Sequence, residues 1–186
     1  MFLTKTEYSF DMDKILESYH SIFPNKFDLL ETSQVCLNSR LGSPDPYFEA
    51  IGKDKHREYG IECPILNEIF RGTYFEEIFN TVGETGRIRF INSEQRSCLS
   101  LHHDWEMRYQ LAIIPSKGAY LVEQISDMDF KMHNLPADGN VYLLNARDIR
   151  HSAINFGTEM RVHLVFCLNK TRETFEEAKK HAPTTL

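Results

Sequence analysis

The residues best placed to do chemistry are Leu101-His102-His103-Asp104-Trp105. In an extended segment successive side chains alternate between faces, so His102 and Asp104 project to one side and His103 to the other. An imidazole nitrogen and a carboxylate oxygen spaced this way can take adjacent corners of a metal's octahedron, and His151 is the candidate third donor. Two histidines and one carboxylate on one face of a divalent ion leave three positions open for exogenous ligands. In a chain with eight histidines, chance alone supplies a His-x-Asp roughly 0.4 times. The pair therefore has to be weighed with its surroundings.

The stretch after His151, running through Ser152, Asn155, Gly157 and Arg161 to Phe166, reads as strand, turn, strand. A hairpin of that length is expected to bring Arg161 back beside His151, where a guanidinium can grip a carboxylate through two parallel hydrogen bonds. The other reading of Arg161 is a structural salt bridge to Glu123 or Asp148.

With Arg87-Ile-Arg-Phe-Ile, His102-His103-Asp104, Arg108-Tyr-Gln-Leu, the run from Leu135 to Asn145, His151-Ser-Ala-Ile-Asn and Arg161-Val-His-Leu, the segment from about Arg87 to Leu168 resembles the catalytic core of the Fe(II)/2-oxoglutarate oxygenases. Within them it most resembles the aspartyl/asparaginyl (prolyl) β-hydroxylase-like branch. These pieces span less than half of the chain. The resemblance implies His102, Asp104 and His151 as iron ligands, and Arg161 as the partner of the distal carboxylate of 2-oxoglutarate. It sets Arg108 near the cosubstrate's other end, with Gln110 where some members carry histidine, and Ser100 and His163 as further cosubstrate neighbours. The implied reaction is hydroxylation of an unactivated C–H with O2, on an Asp, Asn or Pro residue of a protein or peptide. A free amino acid or small metabolite is the alternative substrate, and a metal-binding β-barrel without turnover the alternative from another class. The closely spaced His-x-His pair of a cupin-type enzyme is absent.

The positioning elements follow from periodicity. Residues 87–91, 97–102, 108–114, 120–124, 130–133, 140–144, 152–156 and 162–168 are eight strand candidates, punctuated by turn residues such as Pro115, Gly118, Pro136, Gly139 and Gly157. Eight short strands at this spacing predict a double-sheet jelly-roll barrel, and the resemblance implies the same distorted double-stranded β-helix. Before them, Asp11 or Asp13 can cap a helix ending near Phe23, residues 34–38 form a short strand candidate, and residues 64–71 begin a helical pattern. Thr73-Tyr-Phe-Glu76 matches a capping box with Ile78 and Phe79 behind it. These helices are expected to buttress one sheet from outside.

Alternation also predicts faces. Cys98, Ser100, His102 and Asp104 should point into the barrel, with Leu99 and Leu101 outward against the helices. Arg108 and Gln110 should share a face, as should Arg161 and His163, with Val162, Leu164 and Phe166 opposite. His103 and His163 read as supporting or core histidines; His20, His56, His133 and His181 as surface ones. Trp105 could cover the substrate or simply pack, the irregular stretch 41–60 could line a substrate mouth or be a plain loop, and Thr174 caps a C-terminal helix.

At 186 residues the chain suits a single domain, with 1–86 as helical buttress and irregular loop, 87–168 as the barrel and 169–186 as C-terminal helix and tail. A net charge of −6 argues against nucleic acid and anionic membranes as partners. Cys36, Cys63, Cys98 and Cys167 form no Cys-x-x-Cys pair, so reduced and mostly buried thiols are expected. The first residues lack the layout of a signal peptide and no apolar run approaches a membrane span, so a cytoplasmic location is expected. Nothing in the sequence sets the oligomeric state.

Overall fold

The structure, a computed structural model, describes residues 1–24, 34–39, 63–83, 85–104 and 106–168. Strand β1 (Leu3–Ser9) leads into helix α1 (Met12–Ile22). The carboxylate of Asp11 caps α1 by accepting from the amides of Asp13 at 2.9 Å and Lys14 at 3.3 Å. Short strands β2 (Gln34–Cys36), β3 (Asn38–Ser39) and β4 (Ile65–Leu66) precede a 3-10 turn over Glu68–Phe70 and helix α2 (Tyr74–Val82). Thr73 Oγ1 accepts from the Phe75 amide at 3.3 Å, while the Glu76 carboxylate reaches back to the amide of Gly72 at 2.7 Å, one residue beyond the expected box.

The barrel follows in β5 (Ile88–Ser93), β6 (Ser97–Cys98), β7 (Arg108–Ile114), β8 (Ala119–Gln124), β9 (Phe130–His133), β10 (Asn140–Leu144), β11 (His151–Asn155) and β12 (Arg161–Cys167). All eight predicted strands are present, and their pairing is antiparallel. One sheet has the order β1-β10-β7-β12-β5-β2 and the other β6-β11-β8-β9. From β5 to β8 the chain alternates between the two sheets, and it does so again from β9 to β12. That is the winding of a jelly roll, and the fold is a mainly β double-stranded β-helix with two helices on one side. At the start of β10, Gly139 has φ +79°, and a Cβ there would collide with the Phe10 carbonyl. Only glycine lets β1 and β10 close at that corner.

The outer face of the six-stranded sheet is apolar because helices cover it. Val162, Leu164 and Phe166 of β12 share one cluster with Ile15, Tyr19, Phe70, Phe75 and Ile78. Phe90 is at its centre, with ring centroids 4.9 Å from Phe75, 5.6 Å from Phe70 and 5.6 Å from Phe23. Phe90→Ala is expected to cost about 3–5 kcal/mol, because the cavity would be walled by rings that cannot all move in. A urea midpoint measurement checks this.

Four expectations need correction. Residues 64–71 form β4 and a 3-10 turn, not a helix, because Asn67 turns its amide NH2 to the Cys36 carbonyl at 2.8 Å and pins the chain beside β3. Leu99 does not pack against the helices: it follows β6 in the other sheet and is 56% exposed. His133 is half-buried and paired with Glu123, not a surface group. The predicted hairpin does not form either, because β11 pairs with β6 and β8 while β12 pairs with β5 and β7. The segment 156–160 crosses between sheets instead. Strand β1 was not expected; its Thr-Lys-Thr-Glu run hides the alternation. The stretch 41–60, Trp105, His56, His181 and the C-terminal helix lie outside the described residues.

Candidate metal centre

The site is built on one antiparallel bridge. His102 and His151 exchange both backbone hydrogen bonds, each at 2.9 Å, so their side chains leave the same face. Their ring centroids are 4.6 Å apart. The Asp104 amide donates to the Ala146 carbonyl at 2.8 Å, which holds the next inward residue of that segment alongside. The Asp104 carboxylate then lies 3.9 Å from His102 Nε2 and 3.6 Å from His151 Nε2. One donor atom from each of the three side chains falls within 4.8 Å of the others, the one such group among the described residues.

The far ring nitrogens fix the chemistry of the near ones. His102 Nδ1 donates to the Ser100 carbonyl at 2.7 Å and His151 Nδ1 to the Ile149 carbonyl at 3.1 Å. Since a carbonyl only accepts, both rings use their Nδ1–H there and turn an Nε2 lone pair toward Asp104. Two lone pairs and a carboxylate aimed at one point repel unless a cation sits among them. The donor set therefore fits a divalent metal held on one face. Phe2, 1% exposed, seals the floor, its ring centroid 6.0 Å from that of His151.

Arg108 supports the carboxylate. Its Nε lies 2.6 Å from Asp104 Oδ2, and its Nη1 donates to Cys167 Sγ at 3.0 Å. Burial alone would raise the Asp104 carboxyl, but the Arg108 guanidinium beside it wins and holds it well below the usual carboxylate range. Asp104 is thus a fixed anion. Arg108 was expected at the cosubstrate; its contacts are with Asp104 and Cys167. Ser100 has an exposed side chain and acts through its carbonyl, and His103 is exposed with Nδ1 3.0 Å from the Arg147 carbonyl.

Arg161 is at the other end of the barrel. It faces Ser93 across β5, and Asn155 Nδ2, at the far end of β11 from His151, donates to the Ser93 carbonyl at 3.0 Å. Its backbone is therefore four residues of strand from that of His151, roughly 13 Å, and its side chain covers part of that distance, into a cleft that Leu121 also lines. Arg161 is 6% exposed, with no partner for Nε or Nη1 among the described residues. It lines a small cleft with His163, Tyr120, Leu121, Asn134 and Leu135. Burial pulls its pKa down to about 10, still leaving it a cation at neutral pH. The salt-bridge reading fails: Glu123 is 2.7 Å from His133 and Asp148 is 2.9 Å from Arg147.

Gln110 and His163 lie between these ends. Gln110 Oε1 accepts from His163 Nδ1 at 3.1 Å. Burial, and then the neighbouring Arg161, push the His163 imidazole well below 6.5. The unfolded chain therefore takes up a proton near pH 6.5 that the folded chain refuses, so stability falls as pH drops below that value. The fall is about 1.4 kcal/mol per pH unit at most. His163→Gln should flatten it, as urea midpoints at about pH 7.5 and 5.5 would record.

Two polar groups escaped the sequence reading. Arg89 is buried on the inner face of β5, and alternation with Ile88 and Phe90 was the signal for it. The Glu123–His133 pair needs β8 and β9 in register, which no local pattern gives. Three thiols are buried as expected, but Cys98 is exposed. No helix among the described residues is long and apolar enough to cross a membrane.

No protein-family model matches the sequence, and no curated protein matches it either. Solved structures do. A member of the 2OG-Fe(II) oxygenase family from Burkholderia pseudomallei is similar over 46% of this chain and 44% of its own, at 17% identity and a TM-score of 0.40. A mutant of oxalate decarboxylase OxdC from Bacillus subtilis is similar over 48% of this chain and 23% of its own, at 23% identity and a TM-score of 0.38. The capsular polysaccharide assembling protein CapF from Staphylococcus aureus is similar over 50% of this chain and 27% of its own, at 13% identity and a TM-score of 0.37. Each match spans less than half of the length of the protein it finds.

Proposed function

We propose that this protein is an Fe(II)- and 2-oxoglutarate-dependent oxygenase, of the aspartyl/asparaginyl β-hydroxylase-like kind, that hydroxylates an unactivated C–H. The observation that carries the reading is Arg161, a buried guanidinium with two unpartnered groups, in the same barrel as a histidine, histidine and carboxylate donor set. An uncompensated buried cation costs several kcal/mol. It is tolerable where function supplies the anion. The Arg161 side chain reaches into the cleft lined by Leu121, whose partner Ala153 is two residues from His151, so a diacid such as 2-oxoglutarate is suited to touch both the guanidinium and the donors.

His102, Asp104 and His151 would hold the iron, with Nδ1 contacts to Ser100 and Ile149 keeping both rings aimed. Iron so held supplies oxidative hydroxylation with dioxygen, coupled to decarboxylation of 2-oxoglutarate to succinate. Arg108 keeps Asp104 ionised, so the carboxylate needs no deprotonation before it binds metal. Arg161 orients the cosubstrate through its distal carboxylate, and neutral His163 lines the same cleft without adding charge. The apolar floor of Phe2, Leu121, Leu144, Ala146 and Ala153 limits water around the donors.

The purified chain supplied with Fe(II), 2-oxoglutarate and oxygen is expected to release succinate, slowly without substrate, and to stop when the iron is chelated. A metal-binding barrel without turnover would release none, and that result would remove the enzyme reading.

A further inference from the structure

Arg89 shares the predicament of Arg161 at the opposite end of the barrel interior. It is 6% exposed, its Nε has no partner among the described residues, its Nη1 donates to Gln34 Oε1 at 2.6 Å and its Nη2 reaches Cys167 Sγ at 3.9 Å. Among the described residues it has no carboxylate in salt-bridge contact, and burial brings its pKa down to about 10, so it stays charged. It faces inward because its neighbours Ile88 and Phe90 belong to the helix-covered core. Three successive contacts, of 2.6, 3.0 and 3.9 Å, connect Asp104 through Arg108 and Cys167 to Arg89. Strand β5 lies two places from β7 in the sheet, so Arg89 is displaced sideways from Arg108 by roughly 10 Å. Arg161 instead lies six residues away from Cys167 along β12, roughly 20 Å.

The charge count points the same way. Arg89, Arg108 and Arg161 are three inward guanidiniums, and Asp104 pairs with one of them. A divalent metal adds two more positive charges, and a dianionic cosubstrate removes only two. Among the described residues the barrel keeps a cationic excess at Arg89 that no carboxylate in salt-bridge contact offsets and that the cosubstrate does not remove.

We infer that Arg89 is the receptor for a carboxylate of the substrate, so that the substrate is a carboxylic acid able to reach the barrel interior. The inference rests on the oxygenase reading for the word substrate, but the anion site itself does not depend on it. An interior guanidinium that is 6% exposed can be reached only by a group slender enough to enter the barrel.

The test uses propionate as the probe and propionamide as its neutral isostere. Binding is followed by saturation-transfer NMR on the full chain, loaded with Zn(II) as a redox-inert metal and saturated with 2-oxoglutarate. It is repeated on the metal-free Arg161→Met protein, whose cosubstrate pocket has lost its cation. Propionate should bind in both and propionamide in neither, and Arg89→Gln should weaken propionate about tenfold or more while leaving 2-oxoglutarate affinity unchanged. Arg89→Lys, which keeps a charge, should fall between, and it stands in if Arg89→Gln does not fold. Failure of 2-oxoglutarate to bind, with propionate binding intact, would overturn the oxygenase reading and leave the anion site standing. Equal binding of propionate and propionamide, or wild-type propionate affinity in folded Arg89→Gln, would overturn the site.

Discussion

Asp104→Ala is expected to lose more than about a hundredfold in Fe(II) affinity and, in the same protein, about 3 kcal/mol of folding stability. The two losses have different causes. Metal affinity falls because the one anionic donor of the three is gone, leaving two neutral imidazoles. Stability falls because Arg108, with its Nε 2.6 Å from the lost carboxylate, becomes a buried charge left against a thiol, Cys167 Sγ at 3.0 Å. The stabilisation that Asp104 gives is present above its ordinary pKa of 3.8 and is lost only as pH falls toward its depressed folded value. The cost should therefore be full at neutral pH. His151→Ala, by contrast, should lose metal with a smaller cost to the fold, since it strands no charge. An Fe(II) titration and a urea denaturation on each variant separate these outcomes.

Arg161→Met is expected to move two properties in opposite directions. The metal-free protein should gain about 1–3 kcal/mol of stability, because a buried guanidinium with unpartnered Nε and Nη1 gives way to an apolar chain of similar length. The same change should weaken 2-oxoglutarate binding by about a hundredfold, through loss of a two-pronged contact in a dry cleft. A residue kept for packing would show the reverse, with stability falling and cosubstrate affinity unmoved. Thermal or urea midpoints beside a cosubstrate titration decide it.

Much of this was legible before any coordinates. Alternation located all eight barrel strands and put Arg161 and His163 on the inner face of β12, because Val162, Leu164 and Phe166 had to meet the helices. His102 and Asp104 were readable as a same-side pair for the same reason. What the sequence could not give was long-range pairing. The five residues between β11 and β12 serve a hairpin or a crossing equally well. The outcome depends on which sheet edges are free, and β6 and β8 already flank β11. So the expected neighbourhood of His151 and Arg161 was wrong, and the separation that suits a long diacid followed only from the topology. Residues 64–71 misled because Ile65, Leu66, Ile69 and Phe70 mimic helical spacing, while Asn67 ties the chain to β2. Arg108 was read as a ligand contact, yet its position four residues after Asp104 serves the carboxylate first.

The central claim is that one ion and one diacid span the distance from the His102, Asp104 and His151 donors to Arg161. The most direct test is an anaerobic titration of the Fe(II)-loaded protein with 2-oxoglutarate, read by the visible charge-transfer absorption of an iron-bound 2-oxoacid. The band should appear and saturate in the wild type, be absent in Asp104→Ala, and require about a hundredfold more cosubstrate in Arg161→Met. A wild-type protein that binds Fe(II) but never develops the band, or an Arg161→Met protein that saturates at the wild-type concentration, would contradict it.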